Sequence, residues 1–294
     1  MFYRRKIILS LLQLSDGSLN KIALQKLLLL TSLRQQKPEY EFVPYRFGSY
    51  SFSAHADIVA MIGHGLISDE TKSYQLQSKT DYFGTLSVND KKIVTDVLET
   101  FGKMSEQALM KFTYTNYPYY AINSEAAPGL LNDVQLAAVK SAVPHSQDII
   151  LFTIGYEGVS LEAYLNKLVK NDIKVLVDVR RNPLSMKFGF SKTSLINYCN
   201  SLHIEYLHIP ELGIESDKRK SLNTQQDYDN LFANYRNTNL SKTTTSQQRI
   251  LELLKTKLHI ALTCFEANIC QCHRTHLAEA ITKLPDWKYE LKHI

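Results

Sequence analysis

The stretch His259-Ile-Ala-Leu-Thr-Cys-Phe-Glu-Ala-Asn-Ile-Cys-Gln-Cys-His-Arg274 decides how the second half of the chain is interpreted. An apolar run of strand length leads into a polar loop, and an apolar-periodic segment follows from Thr275 to Leu284. This order predicts a strand, a loop and a helix. The loop holds three of the four cysteines of the chain, together with a carboxylate, a histidine and an arginine. Because open α/β sheets place ligands at the carboxyl ends of their strands, we expect a functional site here.

The segments before this loop repeat the alternation of strand and helix. Ile149–Ile154 is an apolar run, a helical face follows from Leu161 to Leu168, and Ile173–Val179 is a second apolar run. Continuously apolar strands joined by helices predict a parallel sheet covered on both faces. For residues 148–294 we therefore predict the α/β class, with a small doubly wound, mostly parallel sheet. Further strands are expected at 204–209 and 287–291, and further helices at 191–202, 228–235 and 249–257.

Polar motifs follow four of the predicted strands. Because the carboxyl ends of parallel strands meet at one edge of a sheet, these motifs are expected to share one cleft. They are Gly155-Tyr-Glu-Gly158, Asp178-Val-Arg-Arg-Asn-Pro183, Pro210-Glu-Leu-Gly213, and Cys264-Phe-Glu266 through Cys272-His-Arg274.

The order of these motifs resembles the domain-of-unknown-function family 488 over roughly residues 149–292. The resemblance implies an α/β fold with its site at these strand ends, and since the family name leaves the activity open, it implies no particular reaction. The features that carry it are Thr153-Ile-Gly-Tyr156, Asp178-Val-Arg180 with Pro183 and Ser185, Phe190-Ser191, Pro210–Gly213, and Cys264, Glu266, Cys272, His273 and Arg274.

The arginines of the predicted cleft suit a phosphate or carboxylate group, with backbone N–H groups at helix starts as further donors. For Arg180 the alternative is a buried ion pair with Asp178 or Glu266. Tyr156 either stacks on a ring of the ligand or only covers the cleft. The predicted ligand-binding set is Gly155, Tyr156, Glu157, Arg180, Arg181, Glu211, His273 and Arg274.

Three residues are predicted to be catalytic. Glu266 and Asp178 supply carboxylates for acid and base work. Cys272 precedes a helix and two basic residues, which would lower the pKa of its thiol and favour a nucleophilic thiolate. The alternatives are a capping role for Asp178 and a packed small residue for Cys272.

Zinc is an open alternative for the same loop. Cys264, Cys270, Cys272, His273 and His276 are enough ligands for this metal. The stretch lacks paired cysteine knuckles, however, and adjacent Cys272 and His273 are not expected to ligate together easily. The prediction therefore assigns no residue to a metal and no cofactor to the chain.

The first half reads as a mainly α module. Helices are predicted at 2–14, 19–33 and 54–62, followed by a strand at 73–77. With the segment Phe42-Val-Pro-Tyr-Arg-Phe-Gly-Ser-Tyr50, this order resembles winged-helix-like regions of some bacterial and archaeal proteins, including helical domains linked to toxin–antitoxin and phage-defence systems. We predict such a domain over residues 1–125 and a linker over 126–147. Lys26 and Arg46 would contact DNA phosphates; the alternative is a protein-contact module.

Composition and net charge limit the classes of protein to which this chain can belong. The 294 residues carry a net charge of +5, which permits nucleic acid without requiring it. Four cysteines do not form a disulfide framework, and no apolar run approaches a membrane span, so a cytoplasmic location without membrane association is expected.

The predicted function is an enzyme directed at a nucleotide or nucleic acid through a phosphate-bearing substrate. The alternative is a non-catalytic DNA-binding regulator or ligand sensor. A defence or toxin–antitoxin system is one setting for this alternative. The oligomeric state is left open.

Overall fold

The computed structural model describes residues 1–215, 217, 222 and 224–294. The chain divides into two compact units, Met1–Val143 and Pro144–Ile294. Among the helices of the described residues, none combines the length and the apolar character that a membrane crossing requires.

The first unit combines helices with two small antiparallel sheets. Three strands form one sheet in the order Ser18–Asn20, Ser73–Leu76 and Ile67–Asp69, and a separate hairpin pairs Val43–Tyr45 with Gly48–Tyr50. The elements are α1 (Tyr3–Gln13), β1 (Ser18–Asn20), α2 (Lys21–Ser32), β2 (Val43–Tyr45), β3 (Gly48–Tyr50), α3 (Phe52–Gly63), β4 (Ile67–Asp69), β5 (Ser73–Leu76), α4 (Val88–Phe101), α5 (Glu106–Asn116), α6 (Ala127–Leu130) and α7 (Asp133–Ser141).

Local sequence explains where these helices begin. Side-chain oxygens at their N-caps accept hydrogen bonds from backbone N–H groups that have no partner inside the helix. These caps are Asn20, Ser51, Ser87 and Ser105, for α2, α3, α4 and α5. The leucines of α2 are buried against those of α1 and form the core of the unit. Three helices with a three-stranded antiparallel sheet are the elements that a winged helix requires, and the winged-helix interpretation itself stays a prediction.

The segment 126–147, interpreted as a linker, contains α6 and α7. Asn132 and Gln135 form a capping box at the start of α7. This signal for the start of a helix is present in the sequence, although the apolar pattern of the segment is weak. Leu131 and Val139 are buried in a small cluster with Tyr114 of α5. Most of this segment therefore packs within the first unit, which ends at Val143.

The second unit is built on a five-stranded parallel sheet in the order β10-β6-β9-β7-β8, which confirms the predicted α/β class. Its elements are β6 (Ile150–Gly155), α8 (Leu161–Lys170), β7 (Val175–Asp178), α9 (Lys192–Ser201), β8 (Glu205–His208), α10 (Gln225–Asn234), α11 (Thr244–Lys257), β9 (His259–Cys264), α12 (His273–Thr282) and β10 (Glu290–His293).

The order of the strands creates a crevice beside β9. The chain leaves β6 towards β7 on one side and leaves β9 towards β10 on the other side, although β6 and β9 are neighbours. In open α/β sheets such a reversal is where ligands bind, outside the carboxyl ends of the strands. Strands β6, β7 and β9 are completely buried, as their continuous apolar sequences predict.

Candidate functional site at the carboxyl ends of the strands

Gly155 allows the end of β6 to lie against the loop that follows β9. A Cβ atom at this position would come within 2.1 Å of the Glu266 carbonyl oxygen, which no side chain tolerates. The backbone N–H groups of Tyr156 and Glu157 both donate to the Phe265 carbonyl, at 3.1 and 2.9 Å. The predicted ligand contact at Gly155 is therefore a contact between two loops of the protein itself.

Asp178 and Arg180 form a buried ion pair at the end of β7. Asp178 is fully buried and Arg180 is 6% exposed. The guanidinium donates to both carboxylate oxygens, to Tyr156 Oη at 2.6 Å and to the Phe190 carbonyl at 2.9 Å. Tyr206 Oη also donates to Asp178, at 2.6 Å. Arg180 thus forms the buried ion pair with Asp178 that was the alternative to ligand binding. The carboxylate of Asp178, which was predicted to be catalytic, is enclosed by this pair.

Burial and the charge of Asp178 shift the pKa of Arg180 in opposite directions and the pKa of Tyr206 in the same direction. Burial lowers the pKa of Arg180, but the hydrogen bonds and charge of Asp178 more than offset this, so the pKa lies above its ordinary value. Burial and then the negative charge of Asp178 raise the pKa of Tyr206. Arg180 is therefore a permanent cation, and Tyr206 is a permanent hydrogen-bond donor.

A cleft of about 310 Å³ opens beside this pair. Tyr156 lines it while stacking on Phe190, with ring centroids 4.3 Å apart. Arg181, unlike Arg180, is exposed, and it donates a long hydrogen bond of 3.5 Å to the Pro210 carbonyl. The cleft thus combines cationic, hydroxyl, amide and aromatic groups, from Tyr156, Arg180, Arg181, Asn182, Ser185 and Phe265.

Four side chains, hereafter the Cys/Glu/Cys/His cluster, gather where β9 ends and α12 begins: Cys264, Glu266, Cys272 and His273. Their ligand atoms all lie within 4.8 Å of one another, so these residues could hold a metal ion. Glu266 Oε2 accepts from the thiols of Cys264 at 3.0 Å and Cys272 at 3.1 Å. His273 Nδ1 lies 3.5 Å from Cys264 Sγ, and His273 Nε2 lies 3.0 Å from the Val179 carbonyl oxygen.

Cys272 and His273 contribute to one cluster although they are adjacent in sequence, contrary to expectation. Cys272 is extended (φ −126°, ψ 131°), whereas His273 is the first residue of α12. This change of backbone direction brings both side chains to the same interior point. Cys270 is exposed and lies outside the cluster. His276 contacts Arg236 and also lies outside the cluster.

The thiol of Cys272 is not activated in the way that its sequence position predicts. It is fully buried, and burial, followed by the neighbouring Cys264 and Glu266, raises its pKa well above the ordinary value. The thiol donates to Glu266 and is protonated at neutral pH, which disfavours a nucleophilic role.

The remaining residues of the predicted ligand-binding set make contacts within the protein, and their binding role stays a prediction. Arg274 is buried and donates to the carbonyls of Glu266 and Ala267, so it shapes the loop. Exposed Glu157 accepts from the backbone N–H of Ala267 at 3.0 Å. Glu211 accepts from Ser246 Oγ and does not line the cleft. Glu266 lines a separate cavity of about 170 Å³.

Several residues that shape the site were not among the predicted site residues. Asn182, Ser185, Phe190 and Phe265 lie within the quoted motifs, which was the available signal, whereas Tyr206 lies in a predicted strand outside them. Tyr206 lies on β8, and its partnership with Asp178 follows from the pairing of β8 with β7. Such a contact requires the register of the two strands.

In the first unit, the two predicted phosphate contacts differ sharply. Lys26 is 1% exposed, and its ammonium donates to the carbonyl and hydroxyl of Ser49 at 2.9 and 3.4 Å. It therefore cannot contact a phosphate in this structure. The side chain of Arg46 is 64% exposed, with Glu125 3.8 Å away, and stays available to a partner.

Comparison with known proteins confirms the predicted family resemblance of the second unit. Residues 160–281 match the family described as "Domain of unknown function DUF488". This span includes the ion pair of β7 and the whole Cys/Glu/Cys/His cluster, and it begins after Gly155–Glu157. A search of curated proteins finds no similar sequence.

Proposed function

We propose that the second unit is an enzyme directed at a nucleotide or nucleic acid, and that it binds the phosphate of its substrate in the strand-end cleft. The observation that carries this proposal is the lining of the cleft. The exposed guanidinium of Arg181 stands beside Asn182 and Ser185, and the rings of Tyr156 and Phe265 lie in the same cavity. Arginine with hydroxyl and amide donors suits phosphate, and aromatic rings suit a base.

The reaction that we propose is hydrolysis or transfer at a phosphate or glycosidic bond, with a carboxylate as base. Asp178 is enclosed by Arg180 and Tyr206, so this role falls to the loop carboxylates Glu157 and Glu266. Glu157 is exposed, and Glu266 is half-buried between two thiols. General bases must reach the proton that they abstract. Glu157 and Glu266 each directly follow a residue that lines the cleft, whereas exposed Glu211 does not.

A non-catalytic ligand sensor is the second candidate, and a specific observation favours it. Two of the three predicted catalytic residues, Asp178 and Cys272, are fully buried. The described residues that line the cleft include no carboxylate. A site with cationic and aromatic walls but no adjacent base is suited to binding without turnover.

For the first unit we propose DNA binding, with a protein-contact module as the alternative, including one in a defence or toxin–antitoxin setting. The helices α1–α3 and the sheet β1-β5-β4 support a winged-helix interpretation. Of the two cations predicted to contact phosphates, Arg46 alone is exposed.

Calorimetric titration of the full chain with inorganic phosphate, nucleoside phosphates and a short single-stranded oligonucleotide tests the cleft. Arg181→Ala should weaken binding about tenfold or more, because a hydrogen bond to a charged group contributes roughly 1.5–3 kcal/mol. Arg249→Ala removes an equal charge from an exposed position on α11 and should leave the affinity unchanged. Failure of every phosphate-bearing probe to bind, or equal effects of the two variants, would refute the phosphate site.

Turnover separates the enzyme from the sensor. If Glu157→Gln or Glu266→Gln retains ligand affinity but abolishes product formation, followed by chromatography, the enzyme proposal holds. If both variants only weaken binding and the wild type consumes no probe that it binds, the sensor is correct.

A further inference from the structure

We propose that the Cys/Glu/Cys/His cluster is a zinc site, in which Cys264, Glu266, Cys272 and His273 bind one Zn²⁺ and fix the loop between β9 and α12. The inference goes beyond the proposed function, because it requires neither a phosphate ligand nor turnover.

The distances within the cluster fit a tetrahedral ion. Zinc–sulfur bonds of about 2.3 Å and zinc–nitrogen or zinc–oxygen bonds of about 2.0–2.1 Å place neighbouring ligand atoms roughly 3.3–3.8 Å apart. The cluster has Cys264 Sγ 3.0 Å from Glu266 Oε2, Cys272 Sγ 3.1 Å from the same oxygen, and Cys264 Sγ 3.5 Å from His273 Nδ1. The other pairs of ligand atoms lie within 4.8 Å, so shifts of up to about one ångström convert this arrangement into a coordination shell.

The ring of His273 is oriented as a zinc ligand requires. Its Nε2 lies 3.0 Å from the Val179 carbonyl oxygen, which can only accept a hydrogen bond. In the neutral ring Nε2 therefore carries the proton, and Nδ1 presents its lone pair towards Cys264. A carbonyl that fixes the second nitrogen of a ligating histidine is the common outer-shell arrangement of metal sites.

The donor set selects zinc over harder cations. Two thiols and an imidazole with a single carboxylate suit zinc, whereas calcium and magnesium prefer oxygen ligands. Binding of Zn²⁺ forms two zinc–thiolate bonds and releases the two thiol protons to solvent. The cluster carries one negative charge before binding, on Glu266, and one afterwards, since two positive charges are added and two protons are lost. Binding therefore adds no net charge to this buried position.

Four protein ligands indicate a structural rather than a catalytic ion. The ligands come from the end of β9, the following loop and the first turn of α12. The same loop carries Phe265, which lines the cleft, and the carbonyl of Glu266 against Gly155. Zinc would thus hold a wall of the cleft in place. Coordination of Glu266 would leave Glu157 as the accessible loop carboxylate.

Metal analysis of the full chain, purified under reducing conditions without chelator and then supplied with zinc, tests the site. We expect about one zinc per chain after gel filtration. Cys264→Ser, Cys272→Ser and His273→Gln should each bind much less than half of that amount. Cys270→Ser is the matched control, because Cys270 is exposed in the same loop and outside the cluster, and it should bind zinc as the wild type does.

Cobalt substitution of the wild type keeps the test valid if a variant fails to fold. A tetrahedral Co²⁺ site with two thiolates should give intense visible bands and thiolate-to-cobalt charge transfer, and zinc should displace the cobalt. Absence of stoichiometric zinc from the folded wild type, preference for iron or copper, a Cys264–Cys272 disulfide under these conditions, or equal loss of metal from Cys270→Ser would each overturn the proposal.

Discussion

At the scale of single residues, Lys26 shows how burial opposes charge. Its ammonium donates to Ser49 but lies in the interior of the first unit. Burial lowers its pKa from 10.5 to about 7, and the distant charge of Glu106 offsets this only in part. Because the folded-state pKa is below the unfolded value, unfolding takes up one proton between about pH 7 and 10.5. The folded state is therefore penalised most at and below pH 7, and this penalty is relieved as the pH rises.

Lys26→Met should remove this pH dependence. Relative to the variant, the wild type should gain free energy of unfolding by roughly 1.4 kcal/mol per pH unit across that window. Urea denaturation followed by circular dichroism measures it, and fluorescence of Trp287, the single tryptophan, reports the second unit separately. Lys103→Met removes an exposed lysine of the first unit. The free energy of unfolding of this variant should differ from that of the wild type by the same amount at every pH. Parallel pH profiles for wild type and Lys26→Met would contradict the assigned protonation.

The lack of space around residue 155 requires a glycine at this position. An added methyl group would collide with the backbone carbonyl of Glu266, and a backbone atom cannot rotate away. Gly155→Ala should therefore destabilise the second unit by about 1–3 kcal/mol or more, as overpacking does. The midpoint of the Trp287 fluorescence transition in urea measures this loss. Gly129→Ala, in the first unit, has nothing within 4 Å of the new methyl group and should leave the circular-dichroism midpoint of that unit unchanged. An equally small effect at both glycines would refute the close approach.

The sequence allowed the position of the site residues to be predicted, but not their accessibility. Asp178, Arg180 and Cys272 lie at the predicted strand ends and loop, yet each is buried. The reason is that burial at these positions depends on partners distant in the chain. Tyr206 closes one side of Asp178, and Phe190 and Tyr156 close the side of Arg180. The spacing of residues along one strand contains no information on these neighbours.

At the scale of elements, one carboxylate connects α3 to α1. Asp57 of α3 is buried and accepts from Arg4 Nε at 2.5 Å, Arg5 Nε at 2.7 Å and Tyr40 Oη at 2.9 Å. Asp57→Asn would place amide hydrogens against guanidinium groups, and because Asp57 is buried while Arg4 and Arg5 are partly exposed, the change should cost about 1–3 kcal/mol. Hydrogen exchange followed by mass spectrometry should show faster exchange in α1.

An exposed aspartate of the same unit provides the control for this variant. Asp96→Asn on α4 makes the same chemical change at the surface and should leave exchange in α1 as it is in the wild type. If Asp57→Asn has no more effect than Asp96→Asn, then α1 is held by its leucines alone and the charged contacts are dispensable.

Elements with a continuous apolar pattern were the most predictable from sequence. The apolar runs at 149–154, 173–179 and 259–263 correspond to β6, β7 and β9. The short helices α6 and α7 were missed, because α6 has only four residues and α7 buries one residue. The position of β9 between β6 and β7 was also beyond prediction, although it decides which loops meet.

At the scale of the whole molecule, the net charge of +5 is compatible with the proposed DNA binding but does not locate it. Long-range attraction depends on the sum of charges, whereas a phosphate contact depends on a single exposed cation. Lys26 contributes to the sum and is excluded from contact by burial. The exposed Arg46 is the predicted contact that the structure leaves available.

Arg46→Ala should therefore change the salt dependence of DNA binding by the full chain. Each phosphate contact releases a counterion, so the slope of log affinity against log salt should become shallower by about 0.9. Fluorescence anisotropy with a labelled duplex over a series of salt concentrations measures this slope. Lys103→Ala lowers the net charge equally and should reduce the slope much less, because Lys103 is not one of the two residues predicted to contact phosphates. Identical slopes for the two variants, or binding that ignores salt, would favour the protein-contact module, because a neutral interface lacks the counterion release on which the prediction depends.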